Sequence, residues 1–201
     1  MSSVIEQQSG LRVEGGFYVA RFNIDAGEHG LVVAPKALGE HADVEWNDKS
    51  YKLVEGALSF NDGYANTVAM AKAGSRLAQW ALDLTVDGVG GFYLPSLDEL
   101  ELCYRRLKPG TEDNSQWARS GINVSAVPPT YPYTAGLPAQ TAFEVFRTGG
   151  TEAFDEAAYW ASTQHASGSD CAWYQNFYYG YQDDWYKDDK LRARAVRRSP
   201  I

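Results

Sequence analysis

Cysteine is almost missing from this chain: its 201 residues contain only Cys103 and Cys171, in neither a CxxC nor any other metal-ligand spacing. At most one long-range disulfide can form, and two buried free thiols are the expected state. Histidine is equally sparse. His29, His41 and His165 sit far apart in unlike contexts, with no HExxH pattern and no nucleophile elbow, so each is expected as a polar loop residue. Positive charge is short as well. Eighteen Lys and Arg against 26 Asp and Glu leave a net charge of -8, which argues against a nucleic-acid binder that must displace counterions with a basic stripe. No apolar run reaches the length of a membrane-crossing helix, so no membrane insertion is expected. The opening MSSVIEQQSG has neither a basic nor an apolar signal region, so no secretory signal is expected and synthesis in a cytoplasm follows. The only glycine-rich stretch, GVGG at 88–91, lacks the rest of any phosphate-binding fingerprint and reads as a turn.

What is present has an ordinary globular composition, 44% hydrophobic and 22% charged, and no linker divides the chain. A single domain from about residue 15 to 201 is expected, after a polar arm over 1–14. FYVARFNI at 17–24 and GLVVAP at 30–35 predict two strands joined by DAGEHG, followed by a polar connection through His41 and Asp48. One helix is predicted over 64–84, capped by Asp62 or Asn66, with Met70, Ala73, Leu77, Trp80 and Leu84 as its buried stripe. Ser96 and Glu99 form a capping box that opens a second helix over 97–107. Residues 108–138 read as an ordered, irregular insertion, and AQTAFEVFRTG after Pro138 as a short helix stopped by Gly149 and Gly150. The last third predicts strands at 158–163, 171–177 and 191–197. Arg192, Arg194, Arg197 and Arg198 on the last are expected as a solvated face paired with nearby aspartates. Strands, then helices, then strands indicate an α+β fold.

Residues 171–190, CAWYQNFYYGYQDDWYKDDK, carry the functional signal. Tyr and Trp give stiff, amphipathic contact area, while Asn, Asp, Ser and Gly supply adaptable hydrogen bonds and turns, as in an antibody contact surface. On an alternating strand Trp173, Gln175 and Phe177 share one face and Tyr174, Asn176 and Tyr178 the other. The first set is expected in the core. The candidate ligand-binding residues are Ser169, Asp170, Tyr174, Asn176, Tyr178, Tyr179, Asp183, Asp184, Trp185, Tyr186, Asp188 and Asp189, within a variable region at about 166–190. Their spacing lacks the alternating oxygen ligands of a calcium loop, so no metal, cofactor or catalytic residue is assigned. Aromatics interleaved with acids also disfavour single-stranded nucleic acid.

An LPxxxEL helix start at 94–100, YWxST at 159–163, AWxxxF at 172–177 and RxRAVRR at 192–198 together resemble C-type-lectin-like domains of the Legionella collagen-like C-terminal type. These are found among the variable proteins of diversity-generating retroelements, prominently in phage receptor-binding proteins. The resemblance spans roughly residues 15–198. It implies two helices on a small, twisted, mostly antiparallel sheet with long ordered loops, and a non-catalytic adhesin at a phage tail fibre or tip. The implied partners are a bacterial-surface receptor, protein or glycan, and other phage tail proteins, with a homotrimer suiting a fibre tip and the virion as its place. The alternatives are a cellular retroelement-diversified binding protein and a modifying enzyme related to the formylglycine generators, whose reactive cysteine pair Cys103 departs from.

Such retroelements mutate adenines, so AAC or AAT codons can become Tyr, Asp, Ser, Gly, Cys or Ala but never Trp, Gln, Lys, Glu or Met. Ser169, Asp170, Cys171, Tyr174, Asn176, Tyr178, Tyr179, Asp183, Asp184, Tyr186, Asp188 and Asp189 are reachable. Trp173, Gln175, Gln182 and Lys187 are not, which makes them expected scaffold. Trp185 is also unreachable although it lies in the window.

Overall fold

A strand run of nine residues, β2 (Gly16–Ile24), folds back on β3 (Gly27–Val33) and anchors a six-stranded sheet. The computed structural model describes residues 9–24, 27–48, 52–117 and 119–201. The DAGEHG turn therefore falls partly outside the described residues, at Asp25 and Ala26. The other members of this sheet are β1 (Arg12–Val13), β5 (Phe92–Tyr93), β6 (Ala126–Val127) and β11 (Val196–Ser199), in the order β1-β2-β3-β11-β5 with β6 against β2. The described end of the N-terminal arm belongs to this sheet through β1, and Ser9 Oγ donates to Val19 O at 2.6 Å.

A second, five-stranded sheet runs in the order β4 (Glu40–Glu45), β10 (Lys190–Arg194), β7 (Ala158–Gln164), β8 (Cys171–Asn176), β9 (Gln182–Tyr186). Its pairings are antiparallel except β10 with β7. The α+β class is as expected. The single small sheet is not, because residues 191–197 form two strands. β10 and β11 part at Ala195, whose N–H donates to Gly39 O and whose carbonyl accepts from Ala34 N, so one extended segment serves both sheets.

Among the described residues four α-helices occur: α1 (Lys36–Gly39), α2 (Gly63–Lys72), α3 (Arg76–Asp83) and α4 (Leu97–Leu107). The helix predicted over 64–84 is two. Gly74, at φ +93°, ends the first, and the Ser75 side chain starts the second by accepting from Ala78 N. The Asp62 cap and the Met70 and Leu77 core positions hold. Residues 139–149 are not a helix but a single 3₁₀ turn, Glu144–Phe146. Their backbone groups are bound elsewhere: Thr141 N donates to Lys108 O, and Arg147 donates to the carbonyls of Thr141 and Ala142. His41 lies on β4 rather than in a loop.

Helix α4 sits between the sheets. Leu97, Leu100, Cys103, Tyr104 and Leu107 meet Val19 and Leu31 of one sheet and Tyr159, Ala161 and Phe177 of the other. Helices α2 and α3 cover the opposite face of the five-stranded sheet, where Met70, Leu77 and Ala81 pack with Trp160, Ala172 and Tyr174. The capping box is present, and Glu99 does more than cap. Its buried carboxylate accepts from Ser96 N at 2.8 Å, Gly63 N at 3.1 Å and Tyr93 Oη at 2.6 Å, tying α4 to α2 and β5. A Cβ on Gly63 would stand 2.3 Å from that carboxylate, so the close approach requires glycine.

The C-terminal arginines are not a solvated face. Arg194 is fully buried, with its guanidinium 4.7 Å from the Phe154 ring centroid, donating to Ala34 O at 3.0 Å and to the Glu152 carboxylate at 2.9 Å. Lys36, Glu40, Asp155 and Arg192 complete the network. Burial pushes the Glu40 carboxyl above its ordinary value, with Arg194 and Lys36 opposing the shift. Removing the guanidinium alone leaves desolvated carboxylates and carbonyls unanswered. Arg194→Met is therefore expected to cost about 3 to 5 kcal/mol in denaturant unfolding, comparable with the roughly 2 to 5 kcal/mol expected for Leu77→Ala.

Candidate binding surface on strands β8 and β9

The candidate residues fall on the last two strands of the five-stranded sheet and the turns that bound them. β8 and β9 pair in register, Cys171 with Tyr186, Ala172 with Trp185, Trp173 with Asp184, Tyr174 with Asp183 and Gln175 with Gln182. Paired residues project to the same face. Ala172, Tyr174, Asp183 and Trp185 are on the side of α2 and α3; Cys171, Trp173, Asp184 and Tyr186 are on the side of α4.

Both faces of β8 are covered, and this corrects the expected division. Phe177 is buried as expected, but Tyr174 is only 7% exposed, packed in the α2–α3 core with its ring centroid 6.1 Å from that of Tyr181. Burial pushes its phenol well above the ordinary value. Trp173 is only half-buried, against the Phe60 ring at 6.0 Å and His165 at 5.3 Å. The alternation was right. What fails is the assumption that one face is free, because helices pack on both sides.

Beyond β8 the chain opens to solvent. Tyr179, Trp185 and Tyr186 are 45%, 49% and 54% exposed, Asp188 and Asp189 are exposed, and Ser169, Asp170, Tyr178, Asp183 and Asp184 are half-buried. They form two patches. Tyr178 and Tyr179 meet edge to face at 4.4 Å on the turn after β8, where Glu112 is the leading cause of a raised Tyr178 phenol. Trp185 and Tyr186 lie on the end strand, their rings 6.5 Å apart. Asn176 serves the scaffold. Its side-chain oxygen accepts from Tyr178 N at 2.9 Å and Tyr179 N at 2.8 Å, which shapes the turn.

Glutamines and one lysine hold this surface from below. Gln175 Nε2 donates to Gly180 O at 2.6 Å; Gly180, at φ +77°, has no room for a Cβ against the Tyr104 ring. Gln182 Nε2 donates to Leu97 O at the start of α4, at 3.1 Å. Lys187 is fully buried, and its ammonium donates to Ser169 O, Gln164 Oε1 and Lys52 O while lying 4.7 Å from the Trp46 ring centroid. Its backbone N–H donates to Asp170 O and its carbonyl accepts from Trp46 N, so one residue fastens three segments.

Sequence reasoning missed a neighbouring strip. Phe60 stacks under the Arg119 guanidinium at 4.8 Å, and Trp117 is 57% exposed two residues from Ser115, whose N–H donates to Tyr179 O. A lone Trp in a Ser/Gly/Asn-rich insertion was the available signal. Among the described residues no three His, Cys, Asp or Glu side chains are placed to hold a metal ion. Both cysteines are free thiols. Cys103 is sealed in the core as expected, but Cys171 is only half-buried, and burial with Asp170 and Asp184 beside it pushes its thiol up to about 11.

Burial lowers the Lys187 ammonium to about 8, with Asp170 and Cys171 opposing. The unfolded chain, with an ordinary lysine near 10.4, binds more protons between those values. The cost of burying this charge is therefore full below about pH 8 and is relieved as pH rises from there to about 10.4. The difference in unfolding free energy between the parent and Lys187→Met should shift towards the parent across that window. At pH 7 the variant should show faster hydrogen exchange over residues 165–171.

Neither a protein-family model nor a curated protein matches this chain, so the surface is read from its own residues.

Proposed function

We propose that this chain is a non-catalytic receptor-binding domain of C-type-lectin-like type. In this reading it is displayed at a phage tail fibre or tip, attached to other tail proteins through its N-terminal part. It engages a bacterial-surface receptor with the surface around β9, which a retroelement diversifies. The observation that carries the reading is a match between codon chemistry and burial. Gln175, Gln182 and Lys187, which adenine mutagenesis of asparagine codons cannot produce, are buried and hold the backbone of the window. Ser169, Asp170, Tyr178, Tyr179, Asp183, Asp184, Tyr186, Asp188 and Asp189, which it can produce, are half or fully exposed. Ala172, Tyr174, Phe177 and Gly180 are exceptions on one side, reachable yet buried, and Trp173, Trp185 and Lys190 on the other, unreachable yet half or fully exposed. A surface free to vary over a fixed set of hydrogen bonds is what repeated diversification requires. The thiols support the non-catalytic part, since neither is poised to ionise near neutral pH.

Two measurements test this. Sequencing the locus should reveal a neighbouring reverse transcriptase and a near-copy of the codons for 170–190. Variation among isolates should fall on the exposed positions and leave Gln175, Gln182 and Lys187 constant; variation spread evenly over buried and exposed positions would defeat the retroelement reading. Independently, alanine at Tyr179, Trp185 and Tyr186 together should abolish adsorption to host cells with the melting temperature within a few degrees of the parent, roughly the scale of neutral surface changes. Tyr174→Ala should instead destabilise the domain by about 2 to 5 kcal/mol.

A further inference from the structure

The alternation of β9 sets a carboxylate beside each of its exposed aromatics. Asp183 and Trp185 share the face towards α2 and α3, and Asp184 and Tyr186 share the face towards α4. Same-face neighbours on a strand stand about 6.5 to 7 Å apart, so a single cationic group can touch both an aromatic ring and a carboxylate. β9 ends its sheet, so the pairs flank a free margin rather than an interior strand. The Asp183 side chain accepts from the Asp184 N–H at 3.0 Å, which occupies one backbone donor of this strand.

Charge singles out the occupant. Elsewhere in the fold, with Glu45 as the exception, buried or partly buried carboxylates have cationic partners: Asp62 with Arg198, Asp98 with Arg119, Glu101 with Arg105, and Glu40, Glu152 and Asp155 with Lys36, Arg192 and Arg194. Among the described residues no ion pair involves Asp170, Asp183, Asp184, Asp188 or Asp189. Of the window's two lysines, Lys187 points its ammonium inward to carbonyls and an amide oxygen, and Lys190 is exposed at the start of β10. The surface is left with aromatic rings and an excess of negative charge, five aspartates against one exposed lysine.

We propose that the β9 margin binds a basic protein partner, seating arginine or lysine side chains against Trp185 with Asp183 and against Tyr186 with Asp184. This deepens the recognition reading above and rests on it. A guanidinium suits these pairs best, because it stacks on an aromatic face while its edge donates to a carboxylate. A neutral or acidic saccharide would leave the aspartates desolvated without an answering charge.

The test uses the whole chain, labelled, on an array of arginine-bearing peptides with citrulline counterparts of the same shape, and on a glycan array that includes amino sugars. The expected result is retention on arginine peptides that falls by about 10-fold or more with citrulline, and by a similar factor for Asp183→Asn with Asp184→Asn. Retention should weaken steeply with salt. Asp→Asn keeps the size of each side chain, and unchanged melting curves show that β9 remains folded. Retention on saccharides only, citrulline peptides bound as well as their parents, or no retention on either array each overturns the basic-partner proposal. The host-cell adsorption assay then decides the recognition reading by itself. If the aromatic triple variant adsorbs normally, that reading falls too.

Discussion

Arg194 stands where one extended segment passes directly from one sheet into the other, and the surrounding elements are arranged to keep its charge satisfied. β10 ends and β11 begins at its C-terminal side, so its backbone sets the angle between the sheets while its side chain reaches Ala34 and Glu152. A cation this deeply buried is tolerated only with full coordination. Its partners come from residues far apart in sequence: the turn before α1, the start of β4 and the loop over 152–155. Their convergence fixes where α1 and β4 can lie, and hence where the five-stranded sheet begins. The value of such a network is positional more than energetic, because well-packed apolar groups of the same volume often stabilise a fold as well.

The far edge of that sheet solves a different problem with the same means. β8 has helices on both faces, whereas β9 lies at the end and carries exposed side chains. A ribbon in that position, with acids and aromatics on both sides, has little hydrophobic burial to hold it. Polar side chains turned inward replace the missing apolar contacts: Gln175 and Gln182 bind carbonyls of the turn and of α4, and Lys187 gathers three acceptors over the Trp46 ring. Each bond goes to backbone or to another buried side chain, so the surface residues between them carry almost none of the fold. That division lets a surface change its chemistry without changing its shape.

Legibility in the sequence followed how local the determining physics was. The capping box of Ser96 and Glu99, the Asp62 cap, the strands β2, β3, β7 and β8 and the core places of Met70, Leu77 and Phe177 were readable because neighbouring residues decide them. The break at Gly74 was written in the sequence too, but an uninterrupted apolar stripe across it outweighed one glycine. Tyr174 and Trp173 were exchanged for a non-local reason. Alternation says which residues share a face, and only the placement of α2, α3 and α4 says which faces are covered. The arginines of 192–198 read wrongly for a similar reason: a charged strand reads as solvent-facing unless its carboxylate partners, more than 30 residues away in every case, are already known to converge. Phe60, Arg119 and Trp117 escaped because their contacts with the window cross between loops that no periodicity links.

The same reasoning bears on why the aspartates of the window remain uncompensated while others are paired. Pairing an exposed carboxylate contributes little to stability, so nothing in folding selects a partner for Asp188 or Asp189. Asp183 and Asp184 are different, because they are half-buried beside aromatics and would gain from a nearby cation. The fold commits arginines to Glu152, Asp62 and Asp98 and turns Lys187 away from the surface. A carboxylate kept half-desolvated without a cationic partner favours an arriving cation, and its repulsion of other anions discriminates against acidic surfaces. Stability thus comes from below β9, and in the proposed recognition selectivity comes from its outward side chains, with Lys187 separating the two.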